Sequence, residues 1–190
     1  LYTPRVGIVS GADKIFRCND DNASGTGIVP YVTTKGVEWF IDPTGYELDE
    51  LCDYAHKRLI DNEAKLRSRR IMKITDKNWF QYGAVRNREA MLSSDERFYV
   101  KNRTRDAKPF FDDEESRKAG AVLYSGGILG LFRNQSAPSC TKKSNIIEYL
   151  NSDIASRIFE AMGITTGTKK TFIPSLVEEI PIPRKIVYGD

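Results

Sequence analysis

Residues 121–132, AVLYSGGILGLF, decide the fold class. Their apolar, β-branched and aromatic side chains suit a pleated sheet, and Gly126-Gly127 predicts a bulge or a close backbone approach between two strand pieces. Residues 98–102 read as a further strand. Residues 5–18, RVGIVSGADKIFRC, alternate on either side of Ser10-Gly11-Ala12-Asp13 and predict two short strands joined by a turn. Residues 31–41, YVTTKGVEWFI, predict a hairpin turning at Gly36 and broken by Asp42-Pro43.

Helical spacing occurs in two places. Over residues 47–70, Leu48, Leu51, Cys52, Ala55, Leu59 and Leu66 fall largely on one face, predicting one long helix that ends in a basic turn. Over residues 144–163, SNIIEYLNSDIASRIFEAMG, Ser144 is placed to cap, Ile146, Ile147, Leu150, Ile154, Ile158, Phe159 and Met162 form the buried stripe, and Gly163 is placed to terminate. Residues 19–29 and 133–143 read as polar loops. Pro174, Pro181 and Pro183 confine the tail to a brief helix and edge-like extended chain. Without βαβ regularity, the order predicts an α+β fold. It has mixed, mostly antiparallel sheet elements, a long helix in the first half and a helix near the C-terminus. The length of 190 residues suits a single domain over 1–190, able to bury roughly 70% of its unfolded surface.

Several function classes find no support. No run approaches 18 apolar residues, so no membrane partner is expected, and the start at Leu1 has no export signal. The missing initiator Met is what a fragment of a longer chain would show. Cys18, Cys52 and Cys140 are odd in number and far apart, which points away from disulfide or zinc frameworks and towards a reducing compartment. The single histidine, His56, has a surface helix position and no triad partners. Gly7 and Gly11 lack the spacing of a phosphate loop, because Lys14-Ile15-Phe16 reads as strand where a helix should open. The acidic run at 112–115 is a solvated face, and Ser125 lacks the G-x-S-x-G context of an activated nucleophile. No catalytic, cofactor-binding or metal-ligating residues are assigned.

Charge is the informative feature. The chain carries only +3, yet residues 65–108 hold thirteen basic residues against five acidic ones, a local balance of +8. Such asymmetry creates a directed field that attracts polyanions. Within it, aromatics interleave with Arg, Lys and Asn, the types that neutralise phosphates, grip base edges and stack. Base-reading candidates are Arg86, Asn87, Arg88, Asn102, Arg103 and Arg105. Backbone-phosphate candidates are Arg69, Arg70, Lys73, Lys77 and Lys101, with Lys142, Lys143, Lys169 and Lys170 from other loops. Trp79 and Tyr82 are stacking candidates, and Phe80 is expected in the core. One strand bearing Lys101, Arg103 and Arg105 would place all three on one face.

In order along the chain, PRVGIVSGADKIF, NWFQYGAVRN, FYVKNRTRDAKPFF with YSGGILGLF, IIEYLNSD and FIPSLVEEIPIP resemble a known family. It is the C-terminal target-recognition region of bacterial adenine-specific (N6) DNA methyltransferases, closest to the gamma class of type II restriction–modification systems, the HincII-like group among them. The resemblance implies sequence-specific recognition of double-stranded DNA in the bacterial cytoplasm. It also implies a catalytic methyltransferase domain elsewhere in the same parent chain, which binds S-adenosylmethionine and holds a flipped adenine with an Asn/Asp-Pro-Pro-Tyr/Phe motif. Neither that motif nor the Phe-x-Gly-x-Gly cofactor signature occurs here. The alternative is a specificity or protein-interaction subunit of a type I-like complex, whose chains share the IPIP ending.

Overall fold

The computed structural model describes residues 1–19, 23–70 and 73–189. Of the polar loop expected over residues 19–29, residues 20–22 lie outside the described residues. In chain order the first elements are β1 (Tyr2–Val6), α1 (Asp13–Phe16), β2 (Ile28–Thr33), β3 (Gly36–Ile41), a 3-10 turn (Leu48–Glu50), α2 (Asp53–Ile60), α3 (Glu63–Arg67) and α4 (Arg88–Leu92). Then follow β4 (Arg97–Lys101), β5 (Arg103–Thr104), β6 (Phe110–Asp112), α5 (Glu114–Lys118), β7 (Leu123–Tyr124) and β8 (Ile128–Arg133). The chain closes with α6 (Lys143–Leu150), α7 (Asp153–Ala161), β9 (Thr165–Thr166), β10 (Lys169–Thr171), α8 (Pro174–Glu178) and α9 (Arg184–Tyr188). This is an α+β fold with mostly antiparallel sheets. Among the described residues no helix is long and apolar enough to cross a membrane.

The chain forms two compact units, each assembled from separate segments. The first comprises Leu1–Val6, Ser93–Glu115 and Gly127–Asp190. Its main sheet is four-stranded and antiparallel, in the order β1-β8-β4-β6, with Pro4 tolerated because β1 is an edge. Phe98, Val100, Phe110, Leu129 and Leu131 from the sheet form one buried cluster with Ile146 and Leu150 of α6, Phe159 of α7, and Phe172. Edge-to-face ring pairs, Phe110–Phe172 at 5.2 Å and Phe159–Phe172 at 5.4 Å between centroids, add geometric preference to the area buried. A second, three-stranded sheet in the order β5-β10-β9 belongs to the same unit.

The second unit comprises Gly7–Leu92 and Ser116–Gly126. The β2–β3 hairpin forms as expected, with Gly36 at φ +117°, and β7 joins β2 in parallel. Beside it, Ile8 bridges Ser125, and Gly126, expected with Gly127 to mark a bulge or a close approach, accounts for how together with Gly7. A Cβ on Gly7 would sit 2.1 Å from the Ser125 carbonyl oxygen, and one on Gly126 would sit 2.8 Å from Val9 Cγ2. Arg69 then ties the unit together. Its guanidinium donates to the carbonyls of Leu66, Ser10, Trp79 and Gln81 at 2.9, 2.6, 2.6 and 2.9 Å.

Three local expectations need correction. The long helix over residues 47–70 is three short pieces: Leu51 and Cys52 are extended, and the Cys52 amide donates to the Thr26 carbonyl at 3.0 Å instead of continuing a helix. Asn62 makes the second break, its side-chain amide donating to the Arg58 carbonyl at 2.9 Å. Leu51, Ala55, Leu59 and Leu66 are nevertheless buried, so the apolar spacing is right and only the backbone between its members differs. The helix expected over residues 144–163 is likewise divided. Asn151 leaves it to pair with both backbone groups of Phe110, and Ser152 caps α7 by accepting from the Ala155 amide at 3.3 Å. The cap position before α6 is Lys142, not Ser144, whereas Gly163 does terminate α7, with the Ile164 and Gly163 amides donating to Phe159 and Glu160. Residues 13–16, expected as strand, form the single helical turn α1, whose entry is fixed by Ser10: its hydroxyl donates to Asp13 and accepts from the Ala12 amide.

Gly7→Ala tests the seam. Any side chain there must displace the Ser125 backbone, so thermal denaturation should show a melting temperature lowered by about 5–10 °C. An unchanged midpoint would mean that the seam opens freely.

Candidate nucleic-acid interface

Alternation along the small sheet of the first unit sorts its side chains into two faces. Lys170 lies opposite both Thr104 and Thr165, so these three share one face. Lys169 lies opposite Thr166, and Thr171 lies opposite Arg103, so those four share the other. Exposure follows the same division: Lys170 is buried with Thr104 and Thr165 half-buried, whereas Arg103, Lys169 and Thr166 are exposed and Thr171 is half-buried. The outer face thus carries two cations and two hydroxyls and no carboxylate. Between β9 and β10, Gly167 at φ +60° opens a two-residue turn completed by Thr168, the Gly-first arrangement that suits the right-handed twist of a hairpin.

The inner face holds the adjoining loop in place. The Lys170 ammonium donates to the Asp106 carbonyl at 2.9 Å, the Lys101 ammonium pairs with the Asp106 carboxylate at 2.7 Å, and the Asp106 amide donates to the Thr104 hydroxyl at 3.0 Å. The hydrogen bond from Lys101 outweighs desolvation and holds the Asp106 carboxyl below the usual aspartate range. Asp106 is therefore satisfied from three directions, and its neighbours Arg105 and Lys108 are exposed. Neither these two nor Arg103 makes an ion pair among the described residues.

The expected basic segment is shared between the two units. It divides at the boundary after Leu92, and several of its cations are consumed internally. In the second unit Arg69 is spent on carbonyls, Arg67 pairs with Glu63 and Asp76, and Arg88 pairs with Asp42 at 2.8 Å. Arg70, Lys73, Lys77 and Arg86 are exposed, and Asn87 is half-buried at φ +57°, where its carbonyl accepts from the Met91 amide and starts α4. Trp79 and Tyr82 are 4% and 2% exposed, and the Tyr82 hydroxyl donates to the Ile41 carbonyl at 2.7 Å. Contrary to the stacking expectation, both rings are buried in the core, where Phe80 is also found as expected.

In the first unit the single strand through Lys101, Arg103 and Arg105 is absent. β4 ends at Lys101, and the Asn102 backbone turns to Gly127 and Phe172, delivering Arg103 to a different sheet. Lys143 is another internal cation, donating to Asp112, Asp113 and the Arg97 carbonyl at 2.9, 2.6 and 3.3 Å. Lys170 is buried, so neither it nor Lys143 is available to phosphate; Lys142 and Lys169 are exposed. Thr166 and Thr171 of the outer face escaped the sequence reading. The available signal was Gly167 between two threonine-bearing strands of residues 165–171, a short hairpin pattern. No family model matches this chain, and no curated protein matches it.

Lys170→Met should remove the inner tie while leaving the outer face unchanged in charge. Hydrogen exchange at the Asp106 amide is expected to accelerate roughly tenfold or more, since a charged donor is lost from its own residue's carbonyl. Lys169→Met should leave that amide as it was. Equal protection in both variants would show that Lys170 holds nothing.

Proposed function

We propose that this chain binds double-stranded DNA as a target-recognition region, selecting a site for an adenine-N6 methyltransferase domain elsewhere in its parent chain. The observation that carries the reading is the carboxylate-free outer face of the small sheet, with Arg103 and Lys169 on it and Arg105 and Lys108 exposed beside it. A duplex presents a dense row of phosphates, and cations held outward on a fixed sheet release its counterions without first having to be ordered. The one carboxylate close in sequence, Asp106, is neutralised by Lys101. The methylation half of the proposal rests on the ordered resemblance of the motifs. In it, S-adenosylmethionine is bound by the catalytic domain, and this chain supplies grip and selection while the cost of flipping a base, a few kcal/mol, is met. Arg70, Lys73, Lys77, Arg86 and Lys142, exposed elsewhere, add attraction of a less localised kind.

Fluorescence anisotropy on a labelled random duplex across a salt series tests the grip. Arg105 and Lys108 alone should contribute a slope of about −1.8 in log K against log salt, at about −0.9 per neutralised phosphate. The slope of the unaltered chain should therefore be about −2 or steeper, and Arg105→Ala with Lys108→Ala should flatten it by nearly 2. Binding that ignores salt, or no binding to any duplex, would overturn the proposal.

A further inference from the structure

Resting on that DNA-binding reading, we infer that the β9–β10 ribbon is the groove-reading element, inserting its outer face into the major groove of a guanine-containing site. Thr166, Lys169, Thr171 and Arg103 then meet base edges, and Arg105 and Lys108 hold phosphates. The division of roles follows from the register. A two-stranded ribbon fits the major groove, about 12 Å wide, and reads with the side chains of one face; here β9 and β10 form the ribbon, and β5 lies along β10 as a third strand that adds Arg103 to that face. Here that face is set by pairs, Thr166 opposite Lys169 and Thr171 opposite Arg103, while the opposite face is occupied by Lys170 gripping the Asp106 carbonyl and is not available to reverse.

The chemistry of the four side chains selects their targets. Arg103 and Lys169 are donors without acceptors and suit the O6 and N7 acceptors that guanine presents in the major groove. Thr166 and Thr171 each offer a hydroxyl that donates or accepts and a methyl that packs on the thymine methyl. The turn itself is narrow, with Gly167 carrying no side chain and Thr168 exposed, so it adds no bulk at the leading end of the ribbon. Arg105 and Lys108 lie beyond the paired residues of β5, in the loop held by Asp106, and take the phosphate role. Arg86, Asn87 and Arg88, also read as base contacts from sequence, are not needed for this reading, and Arg88 is committed to Asp42.

The test starts with selection of duplexes from a random library by the full chain, followed by binding measurements on the enriched sequence. The motif should contain guanine. Replacing the contacted guanine by 7-deazaguanine, which removes the N7 acceptor, should weaken binding roughly tenfold. Lys169→Ala or Arg103→Ala should remove most of that sensitivity at one position each, and Thr166→Val should alter preference at a neighbouring position without changing the salt slope. By contrast, the Arg105 and Lys108 alanine variants should weaken all sequences alike. A motif without guanine, indifference to 7-deazaguanine, or ribbon variants that lose affinity uniformly would overturn the ribbon assignment, although salt-dependent binding would still support the DNA reading. Failure to retain any duplex would remove both.

Discussion

The pairing of Lys170 with Thr104 on one side and Thr165 on the other is the constraint on which the candidate site depends. Side chains on a strand alternate, so a slip of one residue would exchange the faces, burying Lys169 and exposing Lys170. Strands of two and three residues are too short to fix their own register by apolar burial. The tie from the Lys170 ammonium to the Asp106 carbonyl supplies what is missing, because only one register brings that ammonium to the loop. Lys101 strengthens the same point from β4, so a half-exposed aspartate links the main sheet, the loop and the small sheet of the first unit. An acidic residue in a basic run here serves to aim its neighbours.

The same economy appears in both units, where cations serve as ties for loop backbone. Arg69 gathers four carbonyls in the second unit, and Arg58 donates to Ile15 and Lys14 at 2.7 and 2.9 Å. In the first unit Arg133 donates to Thr141 and Pro138 at 2.9 and 2.6 Å and pairs with Glu96. A guanidinium has five donors in a fixed fork and satisfies several loop carbonyls at once, where separate turns would otherwise be needed. Positive charge in the sequence is therefore an unreliable count of positive charge at the surface.

How much of this was legible follows from what each signal depends on. Strand content at residues 98–101 and 121–132, the hairpin at Gly36 and the stop at Gly163 were legible because periodicity, β-branched composition and glycine conformation are local. The apolar side of residues 47–70 was legible too, but its two breaks were not. They arise from the Cys52 amide reaching Thr26 and from the Asn62 side chain turning back on Arg58, neither of which periodicity records. For the site, the residue types pointed to Arg103, Arg105 and Lys169, yet the same types also described Arg69, Lys143 and Lys170, whose charges point inward. What separates these groups is a partner distant in sequence: Ser10 for Arg69, Arg97 for Lys143, Asp106 for Lys170. Trp79 and Tyr82 failed for a related reason, since an aromatic beside cations looks alike whether it covers a core or a base.

The most direct measurement is hydrogen–deuterium exchange of the full chain with and without a random-sequence duplex at low salt. The account predicts protection concentrated in residues 103–108 and 165–171, which are distant in sequence and brought together by the small sheet and the Lys170–Asp106 tie. Protection confined to residues 65–92, with the small sheet unchanged, would contradict it.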